Sequence, residues 1–396
     1  MLAAVAGLVT AALGHPLLAV LAGIPCRPRT ALLLVALGAA AYGSHRVDDL
    51  QRTTLHPGPE RGRLLVTGAP SGDRAVAREL SAREDVLLVA PGYRPELGAL
   101  YAVRGTLRPI DPEVRAYYAT QGVHLELRAA RLVAAGRRGG MWGVVDAAHA
   151  AALRRLAAGA GASPARSLVA GVTLGETGGL PPDVRQQFRD SGLYHLVAVS
   201  GQNVALVVVF SLGCLAALGV IGTPARVAAI GATLLYVLVT GAGPSIVRAG
   251  VAGCLVAAAW LASRPIARWH LLACGAAVVL ALNPLDLFNP GFQLSFAAVW
   301  AIFVVAPRLQ PRLGSAAAVS VACTLVTTPI AWWHFGRLAP LSVPANLLAL
   351  PAAAPILVCG LGAMVAGTVW PPLAVPLLAV ADVLAGYLLW VARLCS

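Results

Sequence analysis

Long apolar runs separated by short polar breaks make up most of this chain. Two such runs, 1–24 and 31–45, open it, and eight more follow at about 193–221, 227–243, 249–263, 269–282, 292–306, 315–333, 344–369 and 373–393. A helix needs roughly 20 apolar residues to cross a bilayer. The pattern predicts a polytopic α-helical membrane protein with about ten membrane segments, the shorter of which are compatible with re-entrant helices.

Residues 46–138 have a different pattern. Short apolar stretches such as GRLLVTGAP, DVLLVAPG, GALYAVRGTLRPI and GVHLELRAARLV are bounded by Gly, Pro and Asp. Val123, Leu125 and Leu127 alternate with polar residues, as on a half-buried strand. This predicts a small β domain of barrel type, inserted after the second membrane helix.

Residues 139–192 are predicted to form amphipathic and short helices at the membrane surface, ahead of a membrane domain over 193–396. In MWGVVDAAHAAALRRL, apolar positions share the helix with Asp146 and His149, which fits a surface helix and an ordinary packed helix equally well. Ser163-Pro164 predicts a helix start, with Ser as N-cap and Pro at the first position. Pro181-Pro182 predicts another start, and Gly192 the end of that helix.

The composition agrees with a membrane protein and excludes several activities. The chain is 58% hydrophobic and only 12% charged, whereas soluble domains are about 25% charged. Its net charge is +13, and all 30 basic residues are Arg. Without Lys there is neither a Walker A phosphate loop nor a Schiff-base lysine. The seven Cys show no CxxC spacing, which indicates small buried residues in place of a zinc site or a disulfide framework.

Loop charges predict the orientation by the positive-inside rule. The loops around Arg27, Arg226, Arg264/Arg268 and Arg308/Arg312 fall inside if the β domain is outside. NPLDLFNP, which has an acidic residue and no basic one, then falls outside with the C-terminus, and Arg337 is an exception. Met1–Ile24 lacks a basic region before its apolar stretch, so it is predicted to be a first membrane helix and not a signal peptide.

Polar residues interrupt the apolar runs at several places. They are Ser200-Gly201-Gln202-Asn203, Arg248 in GAGPSIVRAG, Gln293 and Ser295 in NPGFQLSF, Asn346 in VPANLLALPAAAP, and the lone acid Asp382. Unsatisfied polar groups cost several kcal/mol each in lipid. They must therefore bond to neighbouring helices or line a polar cavity. Arg248 would be the counter-charge for an anion, with Asp382 as its partner or as a proton site. The pattern favours a polar path without naming its cargo.

Four stretches of the sequence, three of which contain these polar residues, resemble a known family. RDSGLYHLVAVSGQNVALV resembles the core motif of the ComEC competence-protein family, and LVAGVTLGETGGLPPDVRQQF its lead-in. NPLDLFNPGFQLSFAAV and PLSVPANLLALPAAAP resemble two further signatures. The two early membrane segments followed by a β domain, which is OB-like in that family, extend the resemblance over nearly the whole chain.

The resemblance implies a channel in the bacterial cytoplasmic (inner) membrane that admits single-stranded DNA during natural transformation. It implies a DNA pathway lined by His195, Ser200, Gly201, Gln202, Asn203, Arg248, Gln293, Ser295 and Asn346. From the residues themselves we assign no catalytic residue, cofactor or metal. The implied partners are single-stranded DNA, membrane lipid, a separate DNA receptor, a nuclease and a cytoplasmic ATPase; a homo-oligomer is compatible. Tyr93, Tyr101, Tyr117 and Tyr118 are candidate stacking residues, but residues 46–138 carry 15 Arg against 11 acids, a weak basis for DNA binding.

One departure from the family and three alternatives remain. Many members continue into a metallo-β-lactamase-like domain, whereas the last apolar segment here ends close to Ser396 and the eight His form no HxHxDH cluster. We therefore expect either a short form served by a separate nuclease or an incomplete chain. The alternatives are a small-solute transporter, an assembly factor without transport, and an intramembrane serine protease. The protease would use Ser200 with His270 or His334, but AVSG lacks the first Gly of a Gly-x-Ser-Gly nucleophile motif.

Overall fold

The computed structural model describes residues 29–68, 70–157, 163–197, 201–241, 246–247, 249–254 and 268–396. It divides into two compact units. The first comprises Met1–Gly68, Asp73–Arg137 and Val247–Gln293, and the second comprises Ala69–Gly72, Arg138–Ile246 and Leu294–Ser396. The β domain predicted for 46–138 thus falls in the first unit together with later residues of the chain.

The structure describes the following regular elements. The strands are β1 (Gly58–Val66), β2 (Arg74–Glu79), β3 (Asp85–Val89), β4 (Ala99–Pro109) and β5 (Leu125–Arg137). The helices are α1 (Arg29–Gln51), α2 (Pro112–Ala119), α3 (Gly140–Leu156), α4 (Pro164–Leu174), α5 (Pro182–Asp190), α6 (Tyr194–Val197), α7 (Gly201–Ala217), α8 (Thr223–Val239), α9 (Arg268–Leu282), α10 (Pro290–Val304), α11 (Ala306–Leu313), α12 (Ser315–Phe335), α13 (Ser342–Val369) and α14 (Ala374–Leu394). Short 3₁₀ turns cover Pro284–Phe288 and Pro371–Leu373.

The five strands of the first unit close into a barrel, which confirms the β domain predicted from the alternating pattern. Their order is β1-β2-β3-β5-β4, and β3 pairs with β5 in parallel while the other pairs are antiparallel. Alternate residues point into the barrel and are buried, among them Leu64, Val66, Val103 and Leu127. The opposite faces of the same strands carry the polar residues, as expected for a sheet with one buried face.

A β-bulge bends the barrel between β4 and β5. The register between these strands shifts at Arg104/Gly105. A side chain at Gly105 would overlap the carbonyl oxygen of Arg128 on the neighbouring strand. Glycine therefore permits the close backbone approach that closes the barrel at this corner.

The core of the second unit forms where α4 packs against α13 and α14. Leu168 and Val169 of α4 are fully buried, together with Ile356 of α13 and Leu388 of α14. A Cβ at Gly360 would overlap the Thr173 hydroxyl oxygen, so a glycine is needed where α13 passes α4. Close approach through small residues is typical of packed membrane helices.

Three helical stretches are long and apolar enough to cross a membrane: Ser315–Phe335, Ser342–Val369 and Pro371–Leu394. The pair α10 and α11, bent by 57° at a short break, is a fourth candidate. The apolar helices α7, α8 and α9 are shorter. The structure thus shows a helical protein with three to four candidate spans beside the barrel. Of the predicted runs, 1–24 and most of 249–263 lie outside the described residues.

Large apolar side chains are exposed on these helices, as expected for lipid contact. Trp332 and Trp333 near the end of α12 are 59% and 83% exposed, and Trp390 of α14 is 55% exposed. Tryptophan is enriched where membrane helices meet the interface. The exposed aromatics therefore support a membrane location without showing the orientation.

Proline residues mark a helix start in α4 and lie within the helix in α13. The start predicted at Ser163-Pro164 is confirmed, because the Ser163 hydroxyl accepts a hydrogen bond from the Arg166 backbone N–H at 3.1 Å. The apolar run at about 344–369 coincides with α13, which continues through Pro351 and Pro355. Packing against α4 and α14 outweighs the loss of backbone hydrogen bonds that proline causes within a helix.

Candidate functional site

The motif SGQN lies at the start of α7, and its residues differ in environment. Ser200 lies outside the described residues, as do 198 and 199. Gly201 and Gln202 are exposed, whereas Asn203 is only 6% exposed. Gln202 and Asn203 therefore do not face the same surroundings.

Asn203 completes the hydrogen bonding of a neighbouring helix end. Its amide Nδ2 donates to the carbonyl oxygen of Val172 at 2.8 Å, and the Tyr236 hydroxyl donates to the carbonyl of Thr173 at 2.8 Å. Val172 and Thr173 are in the last turn of α4, where carbonyls have no partner within the helix. Two side chains from α7 and α8 thus satisfy the C-terminus of α4 in a buried place.

His195 is the exposed residue of the short helix α6. Its ring Nδ1 lies 3.0 Å from the carbonyl oxygen of Gly192. Gly192 has a φ of +74°, and a Cβ there would come within 2.7 Å of the Ser342 side chain. The turn before His195 therefore packs directly on the start of α13, and this fixes where the imidazole is presented.

The lone acid Asp382 has an arginine partner within the second unit. The guanidinium of Arg166 donates to both carboxylate oxygens of Asp382, at 2.9 and 2.5 Å. The same guanidinium donates to the carbonyl of Leu156, at the end of α3, over 2.9 Å. The Arg166 side chain is 9% exposed and that of Asp382 27%. The predicted partner Arg248 lies outside the described residues, and the contact shown is a link between α3, α4 and α14.

Helix α3 buries two polar side chains, Asp146 and His149. His149 is 5% exposed and its Nδ1 lies 2.5 Å from the carbonyl of Val239, the last residue of α8. Asp146 is 2% exposed and accepts two hydrogen bonds from Arg138 at 2.5 and 2.7 Å. Met141 and Val144 are instead 75% and 70% exposed. Asp146 and His149 thus face the protein, whereas Arg154 and part of the apolar side are exposed.

Burial lowers the pKa of His149 below its ordinary value of 6.5, although the bond to Val239 and the charge of Asp146 act in the opposite direction. The unfolded chain then binds a proton at a pH where the folded chain does not, so stability falls as the pH drops below about 6.5. We expect the melting temperature of the full chain to decrease between pH 7.5 and pH 5. His149→Asn keeps a neutral donor near Val239 and should show a smaller decrease. Equal decreases in both proteins would contradict this role for His149.

The NPLDLFNP stretch holds the barrel through its two asparagines. Asn283 Nδ2 donates to the backbone carbonyl of Thr120 at 2.7 Å, and Asn289 Nδ2 contacts the Thr120 hydroxyl at 3.4 Å. Thr120 directly follows α2 of the barrel, and all three residues belong to the first unit. The stretch therefore contacts the barrel at the end of α2.

The remaining sequence-predicted residues have separate surroundings. Gln293 Nε2 donates to the Leu287 carbonyl at 2.9 Å, which closes the turn before α10. Ser295 is exposed on α10, and Asn346 is half-buried on α13. Within the described ranges, no three His, Cys, Asp or Glu side chains are grouped closely enough to hold a metal ion. The hypothetical Ser200 nucleophile cannot be placed relative to a histidine, since it lies outside those ranges.

Helix α4 is the element on which several of these contacts converge. Asn203, Tyr236 and Asp382 all bond to it, from α7, α8 and α14. Sequence reasoning singled out Asn203 and Asp382 but missed Arg166 and Tyr236. A charged residue within the otherwise apolar PARSLVAGVTL was the one local signal available for Arg166.

Comparison with known proteins decides the family. The Competence protein family matches residues 172–396, which is more than half of the chain. The chain belongs to the Competence protein family.

Several curated relatives of this competence protein are similar over about half of its length. It is 30% identical over 192 residues to ComE operon protein 3 of Bacillus subtilis (46% of this chain, 24% of the relative). It is 28% identical over 206 residues to the uncharacterized protein YcaI of Escherichia coli (48% and 27%), and 29% identical over 213 residues to Competence protein ComA of Neisseria gonorrhoeae (50% and 30%). The matched part thus spans about a quarter of these relatives. No solved structure matches the chain.

The competence match begins at Val172, whose carbonyl Asn203 binds, and it includes Tyr236 and Asp382. The β-barrel, α3 and Arg166 lie before it. The family signal therefore covers the helices that surround α4 together with only the last residues of α4.

Proposed function

We propose that this competence protein forms a channel for single-stranded DNA across the bacterial cytoplasmic membrane during natural transformation. The observation that carries the proposal is the Competence family match over residues 172–396. That segment includes each described candidate span and the exposed polar residues at the starts of α7 and α10. Natural transformation requires a polyanion to cross an apolar barrier, and such a path needs polar groups at membrane depth.

Among the residues predicted to line the pathway, the exposed ones support a polar path better than the buried Asn203 does. Gln202 and Ser295 are exposed on apolar helices, and His195 is exposed beside α7. Lipid does not satisfy an amide side chain, so its exposure on an apolar helix favours contact with water or a polar cargo. Ser200 and Arg248 remain in the proposed pathway on the strength of their motifs. Asn203 instead contributes by positioning α7 against α4.

The proposed topology has about ten membrane segments and an OB-like barrel outside the cytoplasm. A closed five-stranded barrel is the architecture of an OB-fold. The contact of Asn283 and Asn289 with Thr120 supports placing NPLDLFNP on the barrel side. The basic loops then lie on the cytoplasmic side, as the positive-inside rule expects.

The proposal includes no catalytic residue and no cofactor. The sequence has no Lys and therefore no Walker A motif. A separate cytoplasmic ATPase or the proton gradient would then drive import, and separate proteins would capture the DNA and degrade one strand. The other proposed partners are single-stranded DNA, membrane lipid and further copies of the chain.

Gln202→Leu tests the pathway at a residue whose side chain is exposed. We expect the variant to insert normally and to reduce entry of labelled DNA into the cytoplasm at least severalfold, because an apolar side chain replaces a polar one along the path. Val209→Leu, at an exposed apolar position of the same helix, is the matched control and should import DNA normally. Wild-type import by Gln202→Leu at equal protein level would remove Gln202 from the pathway. The Ser200→Ala variant tests the protease alternative. A serine protease would lose proteolytic activity with this change, whereas a channel is expected to keep importing DNA.

A further inference from the structure

Three arginines form a row across adjacent strands on the outside of the barrel. Arg61 of β1 lies opposite Arg104 of β4, and Arg104 lies opposite Arg131 of β5. All three side chains are exposed. Neighbouring strands are about 4.8 Å apart, so the row extends over roughly 10 Å perpendicular to the strands. We call Arg61, Arg104 and Arg131 the arginine row.

The strands that carry the arginine row hold the excess positive charge of the whole domain. Together β1, β4 and β5 contain seven Arg and two Glu. The remainder of residues 46–138 contains eight Arg and nine acidic residues. The modest net charge of the domain is therefore the sum of a strongly basic sheet face and a nearly neutral remainder. The net charge alone, which is a weak basis for DNA binding, does not reveal this basic face.

Within the part of the chain that the structure describes, one ion pair involves an arginine of these three strands. Arg137, at the end of β5, pairs with Glu96 at 3.1 Å. Among the described residues, the guanidinium groups of the other six arginines on these strands take part in no ion pair or hydrogen bond: Arg61, Arg63, Arg104, Arg108, Arg128 and Arg131. Like charges directly opposite one another destabilise a sheet. Three cations in register are thus a feature that costs stability unless an anion lies across them.

We propose that the arginine row binds consecutive phosphates of single-stranded DNA. The choice of DNA as the polyanion rests on the proposed import function, whereas the requirement for several linked anionic groups follows from the row itself. The outward positions of β1, β4 and β5 carry no aromatic side chain, and Tyr101 of β4 packs against the barrel core. Without a stacking platform the face contacts the backbone alone, so binding is independent of base sequence.

The position of the row along the strands favours DNA over lipid headgroups. Strand β5 meets a helix at both ends. Just before it, His124 Nε2 lies 2.7 Å from the carbonyl of Leu50 in α1, and just after it α3 begins at Gly140. Arg131 lies near the middle of β5, more than about 15 Å along the strand from either end. Such a distance exceeds the Debye length of about 8 Å at physiological salt.

The test measures binding of a fluorescein-labelled 30-nucleotide oligothymidylate to the purified full chain in a neutral detergent, by fluorescence anisotropy over a series of NaCl concentrations. The test variant is Arg61→Gln/Arg104→Gln/Arg131→Gln. The matched control, Arg52→Gln/Arg83→Gln/Arg94→Gln, removes three exposed arginines from other parts of the same domain. Both variants lose the same net charge, so a difference between them reports the position of the charges.

We expect the row variant to bind about 10- to 100-fold more weakly at 0.15 M salt, and the control to stay within about threefold of wild type. The slope of log K against log salt is negative, and each lost phosphate contact reduces its magnitude by about 0.7. For the row variant the magnitude should therefore decrease by about 2. Equal binding by the row variant and wild type, or equal weakening of both variants, would overturn the proposal. A parallel measurement uses vesicles containing phosphatidylglycerol. Weaker binding of the row variant to these vesicles, with unchanged binding to DNA, would also overturn the proposal.

This binding measurement requires no transport, so it can fail independently of the import function. If the row variant binds DNA as tightly as wild type while deletion of the gene still abolishes DNA import, the row is rejected as a DNA site and the channel stands. Specific binding by the row in a protein whose deletion leaves DNA import unchanged would support the row as a DNA site and reject the channel.

Discussion

Asp382→Ala is expected to destabilise the second unit by about 3 kcal/mol. The change leaves the guanidinium of Arg166, whose side chain is 9% exposed, without the carboxylate that now accepts two of its hydrogen bonds. Removal of one partner from a buried pair typically costs about 3–5 kcal/mol, and the lower end applies because Asp382 is partly exposed. The measurement is the midpoint and slope of reversible unfolding of the full chain in detergent.

The double variant Arg166→Met/Asp382→Leu separates a structural role from a chemical one. Replacing both charges by apolar groups of similar size is often nearly neutral, so the double variant should recover most of the stability lost in Asp382→Ala. If Asp382 only holds α14 against α4, DNA import should recover as well. Recovered stability without recovered import would show instead that Asp382 acts as a proton site or as a charge in the pathway.

Asn203→Ala is expected to cost about 1–3 kcal/mol, the usual penalty for a buried acceptor left without a donor. The acceptor is the carbonyl of Val172, which Asn203 Nδ2 reaches over 2.8 Å. The same unfolding titration measures the loss. Tyr236→Phe removes the neighbouring bond to Thr173 and should cause a smaller loss of the same kind.

Gln202→Ala is the matched control for Asn203→Ala, because it shortens the adjacent exposed amide. It should leave the free energy of unfolding within about 0.5 kcal/mol of wild type, as is usual for surface changes. Equal stability of Asn203→Ala and Gln202→Ala would contradict the structural role of Asn203. Changing Gln202 and Asn203 together would mix a pathway effect with a packing effect, so the two positions need separate variants.

Those parts of the fold that depend on local pattern were predictable from the sequence. Alternation over residues such as Val123–Arg128 predicted a strand, and the five strands close into the expected barrel. Ser163-Pro164 predicted a helix start because an N-cap depends on residues only a few positions apart. Proline disfavours a helix interior, yet α13 continues through Pro351 and Pro355, where packing from distant helices keeps it continuous.

The candidate site was less predictable because its contacts join distant parts of the chain. Arg166 and Asp382 are 216 residues apart, and Asn203 is 31 residues from Val172. A local pattern identifies a polar residue in an apolar run but not the group that satisfies it. The sequence therefore marked Asn203 and Asp382 as unusual and left open whether they faced a path or a partner. In the barrel, net charge obscured the arginine row because register between strands is a property of the folded sheet.

We propose that this chain carries DNA across the cytoplasmic membrane. The most direct test measures labelled DNA in the cytoplasm, and separately at the cell surface, in cells with the gene deleted and in the same cells with the gene restored. The account predicts that deletion abolishes cytoplasmic entry while surface binding persists, and that the restored gene recovers entry. Unchanged cytoplasmic entry after deletion would contradict it.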